Sequence, residues 1–271
     1  MENGNYELEL VRWCAEQSSR ATNEYLKNIP IEELKNNSVY ALKWFLYRYA
    51  YERNGAPKGY KIAAIKSISY LMQTEHNLAG LDDVYRKFYL GRRNENGNPC
   101  FDQRIQAIDF SKIIKDISAG KLKDAFDQLE LKGIGHKIRA LFIRDIISIT
   151  DSEKKFEHNF KNYLYAQPID IWVRSLGKVL KSPNDFELPK PKELRRSLYG
   201  NISKEDFSIA CKLIKWSLRA EVSPLKVNQG IWYFCSRVVA DNGRLEKILN
   251  CRKMEALNQE VDVMDGFIQG L

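Results

Sequence analysis

A chain of 271 residues is long enough for one large domain or for two modest lobes that share a cleft. Hydrophobic residues make up 44% and charged residues 29%, which is typical of a globular protein with a real core. No stretch approaches the roughly 18 apolar residues that a membrane span requires. The 43 basic residues exceed the 35 acidic ones and give a net charge of +8, which favours a polyanionic partner.

Cysteine and histidine usage argues against several kinds of site. The five cysteines are scattered, odd in number and never spaced as C-x-x-C, and the three histidines lie far apart in the sequence. A disulfide framework, a structural zinc and an iron–sulfur cluster are therefore not expected. The N-terminal segment MENGNYELEL lacks the basic and apolar regions of a secretory signal. We expect a monomeric cytoplasmic protein that is neither secreted nor bound to a membrane.

Apolar residues recur with a helical period in the first half of the chain. This period predicts helices over residues 5–27, 38–53 and 59–74. The segment 91–101 is rich in glycine and asparagine and is predicted to be a loop. Further helices are predicted over 103–119, 121–130 and 136–149.

The second half shows the same period and contains no convincing alternating strand. Helices are predicted over 153–165, 169–181, 191–199, 203–220, 224–241 and 243–263, with a proline-rich connection near residues 183–191. The predicted fold is all-α, with two helical lobes that share a cleft. One lobe is expected at about 31–180 and the other at 1–30 plus 181–271.

The segment Lys132-Gly133-Ile134-Gly135-His136 separates two of these predicted helices. Two glycines around one aliphatic residue allow a very tight reversal, in which Ile134 can pack between the helices. The backbone N–H groups that begin the second helix would then face outward and can hold a phosphate oxygen, directly or through a cation. The alternative is a simple glycine C-cap that joins two helices.

This segment resembles the helix-hairpin-helix motif, whose pattern is L-x-G-[IV]-G followed by a helix. The resemblance implies contact with the DNA backbone at Gly133, Gly135 and His136. It also implies a monovalent cation at the hairpin; no other cofactor and no protein-ligated metal is expected.

Two further residues extend the resemblance to the helix-hairpin-helix DNA glycosylase superfamily. Lys137 follows Gly135 by two residues, at the position of the catalytic lysine in bifunctional members. Asp170 lies in Gln167-Pro168-Ile169-Asp170-Ile171-Trp172-Val173-Arg174, which is similar to the segment with the essential aspartate. The match is clear over about residues 100–180 and looser elsewhere.

The proposed chemistry suits these residue types. A carboxylate stabilises the positive charge that builds on the sugar, and an amine can attack C1′ and form a Schiff base. Asp170 follows Pro168 and is expected at a helix start, where the helix dipole favours a negative charge. The alternatives are an ordinary N-cap for Asp170 and a phosphate-binding lysine for Lys137.

A flipped base needs an aromatic face and polar partners. Asn228 and Trp232 are spaced i, i+4 on a late predicted helix, and this arrangement is similar to that of the archaeal-type 8-oxoguanine DNA glycosylases, which have aspartate in place of Asn228. Gln17 resembles a base-contacting glutamine of that family. Arg144 lies two helical turns beyond Lys137 and can line the same cleft. The alternatives are a core position for Trp232 and solvated side chains for Gln17 and Arg144.

The resemblance therefore implies a base-excision repair enzyme that is associated with the prokaryotic nucleoid and binds damaged double-stranded DNA in the cleft between its lobes. It would release an oxidised purine, for which 8-oxoguanine is the first candidate, and it would cleave the DNA strand by β-elimination. A glycosylase for a different damaged base and a non-catalytic helix-hairpin-helix DNA-binding protein are the alternatives.

Overall fold

The computed structural model describes residues 5–50, 57–75, 80–81, 105, 107–131, 134–157, 159–185, 187–190, 194, 198 and 202–269. Every regular element within these residues is helical and no strand occurs among them, so the all-α expectation is confirmed. Within the same ranges, none of the helices combines the length and the apolar character that crossing a bilayer would demand.

The helices of the described residues are, in chain order, α1 (Asn5–Tyr25), α2 (Ile31–Asn36), α3 (Ser38–Phe45), α4 (Pro57–Gln73), α5 (Phe110–Ser118), α6 (Leu122–Gln128), α7 (His136–Thr150), α8 (Phe160–Leu164), α9 (Ile171–Val179), α10 (Lys204–Arg219), α11 (Pro224–Tyr233), α12 (Asn242–Asn250) and α13 (Met254–Gln269). Two π-helical stretches, Leu46–Ala50 and Phe234–Val239, directly follow α3 and α11. A 3₁₀ turn spans Glu153–Lys155.

Most predicted helices are present, and two are interrupted. The helix predicted over 153–165 is a 3₁₀ turn followed by α8, which begins after its N-cap Asn159. The helix predicted over 243–263 is divided into α12 and α13 at Arg252, whose φ of 50° is left-handed. The short helix α2 was not predicted. The predicted loop at 91–101 lies outside the described residues, as does nearly all of the helix predicted at 191–199.

The chain forms two compact units, residues 29–157 and residues 1–28 plus 158–271. The sequence placed the second boundary near residue 180. In the structure α9 packs against α10, α11 and α12, all of which follow residue 200. These contacts assign the segment around Asp170 to the unit that contains both ends of the described chain.

A cluster of aromatic side chains lies in the core of the unit formed by residues 29–157. The rings of Phe45, Tyr49 and Phe142 lie 5.1–5.9 Å apart, centroid to centroid. The Tyr49 hydroxyl donates to Asp145 Oδ2 at 3.1 Å. Burial and the Asp145 carboxylate raise the pKa of Tyr49, so this buried hydroxyl stays protonated and can donate.

Helices α1 and α11 of the other unit cross closely at Gly230. A Cβ atom added at Gly230 would lie 1.7 Å from the carbonyl oxygen of Cys14 and 2.7 Å from its carbonyl carbon. Neither atom belongs to a flexible side chain, so α1 cannot yield locally. The absence of a side chain at Gly230 is therefore what allows α1 and α11 to approach so closely.

Gly230→Ala is expected to lower the free energy of unfolding by about 3 kcal/mol or more, because the added methyl group must separate two packed helices. The measurement is the midpoint of urea denaturation. Gly266→Ala is the matched control: its Cβ would meet nothing within 4 Å, and α13 should gain up to about 1 kcal/mol. Equal stability of the two variants would contradict the crossing at Gly230.

Candidate functional site

Helices α6 and α7 flank the glycine-containing turn. The Ile134 side chain is buried, and its amide donates to the Leu131 carbonyl at 2.9 Å. Gly135 is the N-cap of α7, and its carbonyl accepts the amides of Ile138 and Arg139 at 3.1 and 3.2 Å. Because Gly135 has no side chain, no side-chain cap closes this helix start. Gly133, a predicted backbone-binding residue, lies outside the described residues.

His136 and Lys137 occupy the first turn of α7. His136 is buried, and its ring centroid lies 5.5 Å from that of Phe126 on α6. Its imidazole thus packs inside the unit, and any contact of His136 with a phosphate would be made by its backbone. Lys137 is partly exposed. Its ammonium group has no hydrogen bond or ion pair with a described residue of its own unit, which leaves it available to a ligand.

Arg139 is a buried cation that the sequence analysis missed. It is 1% exposed, and its guanidinium carbon lies 4.2 Å from the centroid of the Phe126 ring. Nη1 donates to the Phe126 carbonyl at 3.4 Å. Burial lowers the pKa of Arg139, while the acidic groups of Glu130 and Asp127 raise it. A fixed positive charge therefore lies between α6 and α7. The sequence analysis missed it because an arginine in a predicted helix is usually solvated.

Arg144, predicted to line the cleft, is also buried, so the alternative of a solvated side chain is wrong. Its Nε and Nη2 donate to Asp145 Oδ1 at 3.1 and 2.8 Å, in an ion pair with both side chains less than a tenth exposed. The other Asp145 oxygen accepts from Tyr49. The guanidinium is thereby tied to the aromatic core of its unit.

Asp170 begins α9 in the other unit, as predicted. Its Oδ1 accepts the amide of Val173 at 2.9 Å, and its backbone is extended, which is the geometry of an N-cap. The carboxylate is partly exposed, and its Oδ2 has no hydrogen bond among the described residues. Helix α9 is fixed one turn later, where Arg174 forms a bidentate ion pair with Asp206 of α10 at 2.8 and 2.9 Å.

Asn228, a predicted base-contacting residue, makes its hydrogen bonds inside its own unit. It is completely buried, and its Nδ2 donates to Gln167 Oε1 at 3.0 Å and to the Pro168 carbonyl at 3.1 Å. Gln167 is equally buried, and its Nε2 donates to the Pro224 carbonyl at 3.1 Å. No local sequence pattern predicts this network, because its two side chains lie 61 positions apart.

Trp232 and Gln17 both lie within one helical turn of the crossing at Gly230. Trp232 is partly exposed rather than a core residue, and its ring stands edge to face with Tyr25, with centroids 4.8 Å apart. Gln17 is also partly exposed. Its Oε1 is buried and has no hydrogen bond among the described residues, so this acceptor could bind a base only after the amide turns outward. A stacking face and an acceptor are therefore found in the same unit as Asp170.

No family model, no curated protein and no solved structure matches the chain. Within the residues that the structure describes, no cluster of three or more histidine, cysteine, aspartate or glutamate side chains is arranged to hold a metal ion.

Proposed function

We propose that this chain is a bifunctional DNA glycosylase and lyase that removes an oxidised purine, with 8-oxoguanine as the first candidate, from double-stranded DNA. The observation that carries the proposal is the position of Lys137 in the first turn of α7. Lys137 follows Gly135, an N-cap without a side chain, by two residues; it is partly exposed and has no hydrogen bond or ion pair with a described residue of its own unit. A nucleophile that must reach a DNA sugar needs this accessibility.

The hairpin binds the DNA backbone in this proposal. The start of α7 lacks a side-chain cap at Gly135, so its first amides can donate to a phosphate oxygen. The buried charge of Arg139 supports binding of an anion at this end of the unit. A monovalent cation at the hairpin would help to hold the phosphate; Lys132 and Gly133 of the hairpin lie outside the described residues.

Lys137 supplies the covalent chemistry. Its uncharged amine forms a bond to C1′ while the glycosidic bond breaks, and the base departs with the bonding electrons and takes up a proton. Opening of the sugar gives a protonated Schiff base between Nζ and C1′. Loss of a C2′ proton then expels the 3′-phosphate by β-elimination, and water hydrolyses the Schiff base to regenerate the amine.

Asp170 supplies negative charge where the sugar becomes positive. The Val173 amide fixes one oxygen of its carboxylate, and the other has no hydrogen bond among the described residues. A carboxylate held in one orientation can stabilise the developing charge without first reorganising.

The everted base is recognised by Trp232 and Gln17. The Trp232 ring, supported by Tyr25, offers a stacking face, and Gln17 Oε1 accepts a hydrogen bond from the base edge after its amide turns outward. We leave Asn228 and Arg144 out of the base-contacting set because both side chains are buried and bonded within their own units.

Borohydride trapping of the wild-type protein tests this function. A duplex with 8-oxoguanine opposite cytosine is expected to yield a covalent protein–DNA adduct, and the same duplex with guanine is the control. A panel of duplexes with other single lesions identifies the base if 8-oxoguanine is not the substrate. Salt-sensitive binding without an adduct on any lesion or on an abasic site would show a non-catalytic DNA-binding protein.

A further inference from the structure

Two buried amide side chains fasten the segment that leads into Asp170 onto α11. We call Gln167, Asn228 and the two carbonyl groups that they contact, those of Pro168 and Pro224, the amide clamp. Its three hydrogen bonds are 3.0–3.1 Å long, and both amide side chains are completely inaccessible to solvent.

The clamp acts on a stretch of chain that has no regular structure of its own. Residues 165–170 connect α8 to α9, and the first five of them are buried. Asn228 Nδ2 serves two acceptors at once, on the residues three and two positions before Asp170. Because water does not reach these groups, no solvent molecule can replace a lost hydrogen bond.

The helix that provides Asn228 is itself firmly placed. The Ser223 hydroxyl caps the first turn of α11 by accepting the amides of Leu225 and Lys226, each at 3.2 Å. Two residues after Asn228, Gly230 meets the backbone of α1. The clamp therefore connects an irregular linker to a helix that is capped at its start and packed against the backbone of α1.

We propose that Asn228 and Gln167 are positioning residues that set the orientation of the Asp170 carboxylate through residues 167–169. Neither touches the substrate. This inference rests on the proposed function for its catalytic consequence, whereas the positioning itself is a property of the fold.

Hydrogen exchange of the Val173 amide tests the positioning without any substrate. This amide donates to Asp170 Oδ1, so its exchange reports whether the carboxylate stays at the N-cap. In Asn228→Ala, exchange at Val173 is expected to become about tenfold faster relative to Ile214 in the middle of α10, because two buried hydrogen bonds are lost. Asn258→Ala is the matched control: it removes the hydrogen bond from Trp13 Nε1, far from the clamp in sequence, and should leave the ratio unchanged.

The catalytic consequence is measured in single turnovers on the lesion duplex. Asn228→Ala is expected to release the base about 100-fold more slowly, the penalty for a catalytic group displaced by about 1 Å. Its affinity for the duplex and its trapping on a preformed abasic site should change less than threefold, because neither requires the Asp170 charge. If Asn228→Ala does not fold, Gln167→Met removes one donor and one acceptor of the clamp at nearly constant volume and should give the same pattern.

The outcomes distinguish the positioning role of the amide clamp from the proposed glycosylase function. Unchanged exchange at Val173 overturns the positioning role, whatever the activity. Faster exchange with a parallel fall in affinity and trapping overturns it as well, because the defect would then be general. A wild-type protein that releases no base defeats the proposed function, while the exchange ratio still decides whether the clamp holds Asp170.

Discussion

Lys137→Gln is expected to form no borohydride adduct and to lose strand cleavage by at least about a thousandfold, since glutamine has nearly the length of lysine but no nucleophilic amine. The residue is partly exposed at the start of α7, so the substitution should not disturb the core. The measurement is the yield of trapped protein–DNA complex from a lesion duplex at saturating enzyme.

Lys123→Gln is the matched control for this change. Lys123 is an exposed lysine on α6 of the same unit, and the substitution makes the same change in net charge. It should trap as the wild type does. If Lys137→Gln also traps fully, another amine is the nucleophile and the assignment of Lys137 is wrong.

Asp170→Asn is expected to slow base release by about 10²- to 10³-fold, the usual cost of removing one electrostatic contact to a transition state. Asparagine caps a helix about as well as aspartate, so the hydrogen bond from Val173 and the stability of the unit should persist. Trapping on a preformed abasic site should be affected far less, because no glycosidic bond remains to be broken there.

Asp241→Asn provides the comparison for Asp170→Asn. Asp241 is the N-cap of α12 in the same unit, where it accepts the Arg244 amide at 2.6 Å. If the two variants release the base equally slowly, Asp170 acts only as a cap. If Asp170→Asn loses activity and stability together, the result would point to a structural role.

The helical period predicted local features of the molecule well. It placed α7 and the start of α9 within about two residues, because amphipathic spacing and N-cap residues are read from neighbouring positions. The same local signals correctly predict that Lys137 and Asp170 lie at helix starts. The division of the helix at Arg252 was missed because its left-handed backbone accompanies an ion pair with Glu7, 245 positions away.

The burial of particular polar side chains could not be predicted from the sequence. Asn228 looked like a base contact and Arg144 like a surface or cleft residue, since both are polar and both share a predicted helix face with another candidate residue. Each has its partners in the interior, at Gln167 and at Asp145. Such long-range or core contacts depend on tertiary packing, which a one-dimensional period does not encode.

The crossing of α1 and α11 imposes an order on the assembly of the protein. During synthesis α1 emerges about 200 residues before Gly230, and the other contacts that fasten it, from Arg12 to Ala220 and from Arg20 to Asp265, span 208 and 245 positions. The unit of residues 29–157 is complete on the ribosome long before then and can fold first. Until α11 is synthesised, the face of α1 that packs on it lacks its native partner helix, so the nascent chain passes through a prolonged stage in which a chaperone can bind that face.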